Sequence, residues 1–121
     1  MKLNVDNVVY LLKYFNDFTL EYINIASTEY IVDTFRKQAL AIQVNLGNVS
    51  KASADFVSSV LNFKDNNINT YVSEVQDILY VISYADMTHQ SIMESAEYNL
   101  REKMITKRTY DIVKKLVKGS K

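Results

Sequence analysis

Few residues in this chain have the type and spacing that chemistry needs. His89 is the sole histidine. Asp86 and His89 stand three apart, the spacing of a carboxylate–histidine metal pair on a helix. A di-metal helical site needs a second such unit and further carboxylates, and no second histidine exists to supply it. No arginine precedes His89 at the short spacing used by helical-bundle nucleases. Glu94 with Glu97, and Glu74 with Asp77, sit at helical spacing, where paired carboxylates are usually solvated surface rather than an acid–base couple. Glycine-rich phosphate loops are absent, and without cysteine there is no thiolate ligand, disulfide or cysteine nucleophile. The residues therefore point to no catalytic group, metal site, cofactor or small-molecule substrate, and the chain is read as not an enzyme.

What remains is charge and apolar surface. Net charge is zero, but it is divided. Residues 1–100 carry six Lys/Arg and twelve Asp/Glu; residues 101–121 carry eight Lys/Arg and two Asp/Glu. Arg101, Lys107, Arg108, Lys114, Lys115 and Lys118 form the basic segment, on overlapping helical faces. They are the candidate contacts for a nucleic-acid backbone, with weak, sequence-indifferent binding expected. A second candidate surface consists of apolar residues off the main helical stripes: Leu40 and Val44, Phe56 and Phe63, with Tyr10 beside them. Apolar residues that a monomer's core does not need suggest a subunit interface.

These residues must be positioned by helices. The chain has 121 residues, no proline and two glycines, and it is 48% hydrophobic. That suits one all-α domain over residues 1–121 with a core of its own. The spacing predicts a first helix from Asp6 to Ala26, capped by Asn4 or Asp6, with Val8, Leu11, Leu12, Phe15, Phe18 and Tyr22 inward. Ser27 or Thr28 caps a second, with Ile31, Phe35, Ala39, Ile42 and Leu46 inward and Gly47-Asn48 as its stop. Asp65-Asn66-Asn67 looks like a turn. Yet Val57, Val60, Leu61, Ile68, Tyr71, Val75, Ile78 and Leu79 keep one phase through it, which predicts a single helix from Ala54 to Ser83, about 45 Å long. A fourth helix starts near Asp86 or Thr88. Its apolar face changes side after Ile105, so a break there, with Thr106 as a fresh cap, is expected. The fold expected is an antiparallel four-helix bundle with a kinked or split last helix. Its core rests on Phe15, Phe35, Ile42, Leu61, Val75 and Leu79. Neither a leader peptide nor a membrane span is read, and the lack of cysteine suits a reducing, cytoplasmic setting.

Residues 38–56 carry a resemblance. Gln38 opens a helix in which Ala41, Ile42, Asn45 and Leu46 take the places of a Ser-Ile-x-x-Asn-Ile-Ala-Glu type segment. Ser53, Asp55 and Phe56 take those of a Ser-x-x-Asp/Glu-Phe helix opening, with one residue rather than two between Ser53 and Asp55. This resembles the four-helix-bundle proteins encoded in 23S rRNA intervening sequences, with Asn48 near that family's glutamate and Gly47 in place of its small residue. The resemblance implies a four-helix bundle that forms a ring-like homo-oligomer, and no catalytic residues. A related group, the accessory protein of diversity-generating retroelements, is a basic bundle working with a reverse transcriptase and RNA; this chain's zero net charge departs from it. The function expected is a self-associating scaffold or adaptor, with another protein as a further partner. The alternative is an accessory nucleic-acid-associated factor using residues 101–121.

Overall fold

The computed structural model describes residues 2–62 and 66–121, and all regular structure among them is helical. Each helical rod begins where a short polar side chain satisfies the free amides of its first turn. Asn4 accepts from Asn7 N–H to start α1 (Val5–Tyr22), and Ser27 accepts from Tyr30 N–H to start α2 (Thr28–Thr34). From α2 the chain continues without leaving helical dihedrals through a π-helical segment, Phe35–Leu40, into α3 (Ala41–Asn45). Ser50 starts α4 (Lys51–Val60) and Asn67 starts α5 (Ile68–Ser83). Thr88 starts α6 (His89–Arg101), and Thr106 starts α7 (Lys107–Gly119).

The described residues thus form six rods where four are expected. The third helix is not continuous: α4 ends at Val60, and Asn67 opens α5 with its side chain on Asn69 N–H. The fourth divides as anticipated, with Ile105 buried at the break. The first helix closes at Tyr22, four residues short of the expected end.

Rod directions follow from a few contacts. Asn4 N–H donates to Ser53 Oγ (3.0 Å) and Ser50 N–H to Asn7 Oδ1 (2.9 Å), so α1 and α4 start side by side and run parallel. Tyr10 Oη meets Gln43 Oε1 at 3.4 Å, which sets the α2–α3 rod antiparallel to α1. Ser95 Oγ donates to the Val81 carbonyl (2.8 Å), pairing α5 with α6. His89 Nε2 and Ser120 Oγ, 3.0 Å apart, pair the start of α6 with the end of α7. Leu3 N–H donates to the Gly119 carbonyl (2.9 Å), and a Cβ on Gly119 would come within 2.7 Å of Leu3 Cδ1.

Phe35 is the hub of the core. Its ring meets Phe15 edge-on at 5.3 Å, with Tyr14 and Phe18 at 5.8 and 6.3 Å. Phe15, Phe35, Leu61 and Val75 are fully buried as expected, and Leu79 is half-buried against the core. Ile42 is not in the core: it is 52% exposed, and Leu46 is 67% exposed, while Leu40 and Gln43 are buried in their place. The π segment is the cause. Pairing each carbonyl one residue further along adds one residue to the turn, which rotates everything downstream by about 100° relative to an unbroken α-helix.

Two helix ends share one device. After α3, Asn48 N–H reaches the Gln43 carbonyl and Gly47 N–H that of Val44, with Gly47 at φ +76°. After α6, Met104 N–H reaches the Asn99 carbonyl and Lys103 N–H that of Leu100, with Lys103 at φ +60°. Both are left-handed closures; only the first has the glycine that adopts that conformation without strain.

Candidate interaction surface

Of the four residues expected at a subunit interface, the three among the described residues are not freely exposed. Leu40 is buried, turned inward by the π segment, which corrects its assignment to the back of the helix. Val44 is half-buried and, with Leu40, lines a shallow cleft between α3 and α4. Phe56 is half-buried, and Phe63 lies outside the described residues. Tyr10, named with them, is exposed. Further exposed apolar side chains include Leu20, Ile25 and Tyr30 around the α1–α2 turn, Ile42 on α3 and Leu46 at its end, Tyr80 on α5 and Tyr84 at its end, and Tyr98 on α6. Ile25, 78% exposed, lies in the turn after α1, within the stretch the spacing predicts as helix up to Ala26.

All six candidate nucleic-acid contacts, Arg101, Lys107, Arg108, Lys114, Lys115 and Lys118, are exposed. Arg101 is the last residue of α6; the other five are placed by α7, which buries Thr109, Val113, Leu116 and Val117 and turns its cations out. Lys107 pairs with Asp111 one turn on (3.2 Å) and lies 4.7 Å from the centre of the Tyr110 ring. Arg101 lies 6.0 Å from the Tyr98 ring centre. Both are cation–π distances. Arg108 leans toward Glu74, its Nε 3.6 Å from Oε1.

Glu74 departs from the solvated surface expected of it. It is buried, its Oε1 accepts no hydrogen bond, and the Arg108 contact is longer than a hydrogen bond. Burial pushes its pKa up; Arg108 and the Thr109 side chain pull the other way without cancelling it, and Asp77 adds to the rise. Burial likewise raises Asp77. A buried carboxylate resists ionisation because low-polarity surroundings penalise charge.

The Asp86–His89 pair separates into two structural contacts. Asp86 Oδ1 accepts from the Thr88 hydroxyl (2.8 Å) and backbone (3.1 Å), which lowers its pKa. His89 is occupied by Ser120. No group of three His, Cys, Asp or Glu side chains that could hold a metal ion occurs among the described residues.

The structure does bring together members of the two candidate sets. A cleft of about 460 Å³ between α4 and α7 is lined by Phe56, Ser59 and Val60 on one bank and Arg108, Asp111, Ile112 and Lys115 on the other. On α7 the spacing of 108, 112 and 115 puts these residues on one helical face. The cleft has apolar walls and a cationic rim, with Asp111 answered by Lys107.

No helix among the described residues is long and apolar enough to cross a membrane. No protein-family model, curated protein or solved structure matches the chain.

Proposed function

We propose that this chain is a non-enzymatic helical scaffold or adaptor that associates with itself. The supporting observation is the apolar surface left over once the core is closed. Leu20, Ile25, Tyr30, Ile42 and Leu46 all stay more than half exposed, although Phe15, Phe35, Leu61 and Ile78 already fill an interior without them. Scattered exposed leucines need no explanation, but side chains of this size grouped at one turn and along one short helix mark contact surface. The resemblance of residues 38–56 to the intervening-sequence bundle proteins points the same way. The test is light scattering on the chain at micromolar concentration. A mass above one 14.0 kDa subunit is expected; a concentration-independent 14.0 kDa species removes the reading.

The exposed cations of α7 favour a second reading, an accessory factor that binds nucleic acid. Lys114, Lys115 and Lys118 make no ion pair among the described residues and are free to meet phosphates. Affinity on this reading is about micromolar or weaker at physiological salt, and it steepens as salt falls. Fluorescence anisotropy with a labelled RNA, comparing the chain with Lys114→Glu/Lys115→Glu/Lys118→Glu, decides it: equal binding by both eliminates the role.

A further inference from the structure

The cationic, apolar cleft has a counterpart on the same molecule. From Tyr14 to Phe35 the sequence holds Asp17, Glu21, Glu29 and Asp33 and no lysine or arginine. This stretch covers the end of α1, the turn and α2. Asp17, Glu21 and Glu29 are exposed and Asp33 is half-exposed, and among them stand Leu20, Ile25 and Tyr30, 55%, 78% and 56% exposed. The α1–α2 corner therefore exposes apolar side chains among carboxylates, with Arg36 and Lys37 following beyond Asp33. The α4–α7 cleft has Phe56, Val60 and Ile112 among its walls and Arg108 and Lys115 as its lining cations, and Lys118 follows Lys115 one turn further along α7. The carboxylates of the corner and the cations of the cleft are opposite in charge, and complementary potentials select partner and register.

Resting on the self-association reading, we propose that the occupant of the α4–α7 cleft is the α1–α2 corner of a second copy of this chain. The contact is heterologous: the surface given by one protomer differs from the surface it receives on. Ile25, the most exposed of the large apolar residues, enters the cleft, and Glu21 and Glu29 meet Lys115 and Lys118. Every protomer keeps an unused corner or cleft after one contact, so growth continues until a ring closes or a filament forms. A nucleic-acid occupant fits the rim but not the walls. Phosphates gain nothing from Phe56, Val60 and Ile112.

Charge reversal with complementation tests the contact. Two variants of the whole chain are made, Lys115→Glu/Lys118→Glu in the cleft and one turn beyond it, and Glu21→Lys/Glu29→Lys at the corner. All four positions are exposed, and circular dichroism checks that both variants fold. Mass is read by light scattering for each alone and for an equimolar mixture. Wild type is expected to associate, each variant alone to fall to 14.0 kDa at the same concentration, and the mixture to regain higher mass. Ile25→Ser, which changes no charge, is expected to lower the mass as well. Variants that keep wild-type mass overturn this contact while leaving self-association through another face. Folded variants that lose mass but are not restored by mixing overturn it too. A monomeric wild type overturns the self-association reading itself.

Discussion

Two exposed lysines on neighbouring rods offer a matched test of the π segment. Lys37 lies inside Phe35–Leu40, and Lys13 lies in the middle of the regular helix α1. Deleting either removes one residue and one positive charge. In α1 the deletion turns every later residue by about 100°. Asn16 then occupies the site of Phe15, which is fully buried. Losing a buried phenylalanine costs about 3–5 kcal/mol, and burying an unsatisfied amide adds about 1–3 kcal/mol. The sum approaches the whole stability of an ordinary domain, about 5–15 kcal/mol. In the π segment the deletion removes the extra residue. The remaining turn closes as α-helix, and Leu40, Gln43 and Val44 keep their present directions. The assay is urea denaturation followed by circular dichroism. The Lys37 deletion is expected to unfold cooperatively with a midpoint near wild type, and the Lys13 deletion to be unfolded or nearly so. A Lys37 deletion as damaged as the Lys13 deletion would refute the assignment of Leu40 to the core and Ile42 to the surface by an inserted residue.

Other expectations follow from single sites. Lys103 closes α6 at φ +60°, so Lys103→Gly is expected to raise stability by about 1 kcal/mol, seen as a higher thermal midpoint; a drop contradicts the closure described. Thr19 is fully buried with an unpartnered hydroxyl, and Thr19→Val is expected to stabilise by about 1 kcal/mol, whereas loss on urea titration would mean that the hydroxyl has a partner. Glu74 has a raised pKa, so the folded chain holds its proton more tightly than the unfolded one. Its contribution is fully present below its ordinary value of about 4.5 and is lost as pH rises through the raised folded value. Wild type measured against Glu74→Gln should therefore lose stability with rising pH in that window; a constant difference across it counts against the buried, protonation-prone carboxylate.

Local signals in the sequence were reliable where chemistry is local. Asn4, Ser27 and Thr88 each stand among the two caps the sequence offers for their helix, Thr106 is the fresh cap expected after Ile105, and each accepts from a first-turn amide. Asn67 was legible as a turn residue but was overruled by hydrophobic phase. The phase survives because α4 ends at 60 and α5 begins at 68. The seven positions between equal two helical turns to within about 20°, so the apolar spacing alone does not distinguish two helices from one. Leu40 and Ile42 were exchanged for a similar reason. A 3.6-residue ruler cannot register a π turn, and the segment carries two overlapping apolar stripes, either of which an amphipathic helix could bury. The cations of α7 were visible from composition alone. That Phe56 lies across a cleft from Ile112 and Lys115 was not visible, because the choice of neighbour for α4 is made by packing over more than fifty residues of chain.

The central claim, a scaffold that associates with itself through divided charge, is tested most directly by sedimentation velocity of the full chain over a range of concentrations at low and high salt. The account expects a sedimentation coefficient that rises with concentration above that of a 14.0 kDa monomer and falls back as salt screens the contact between charged surfaces. A single 14.0 kDa boundary, unchanged by concentration or salt, would contradict it.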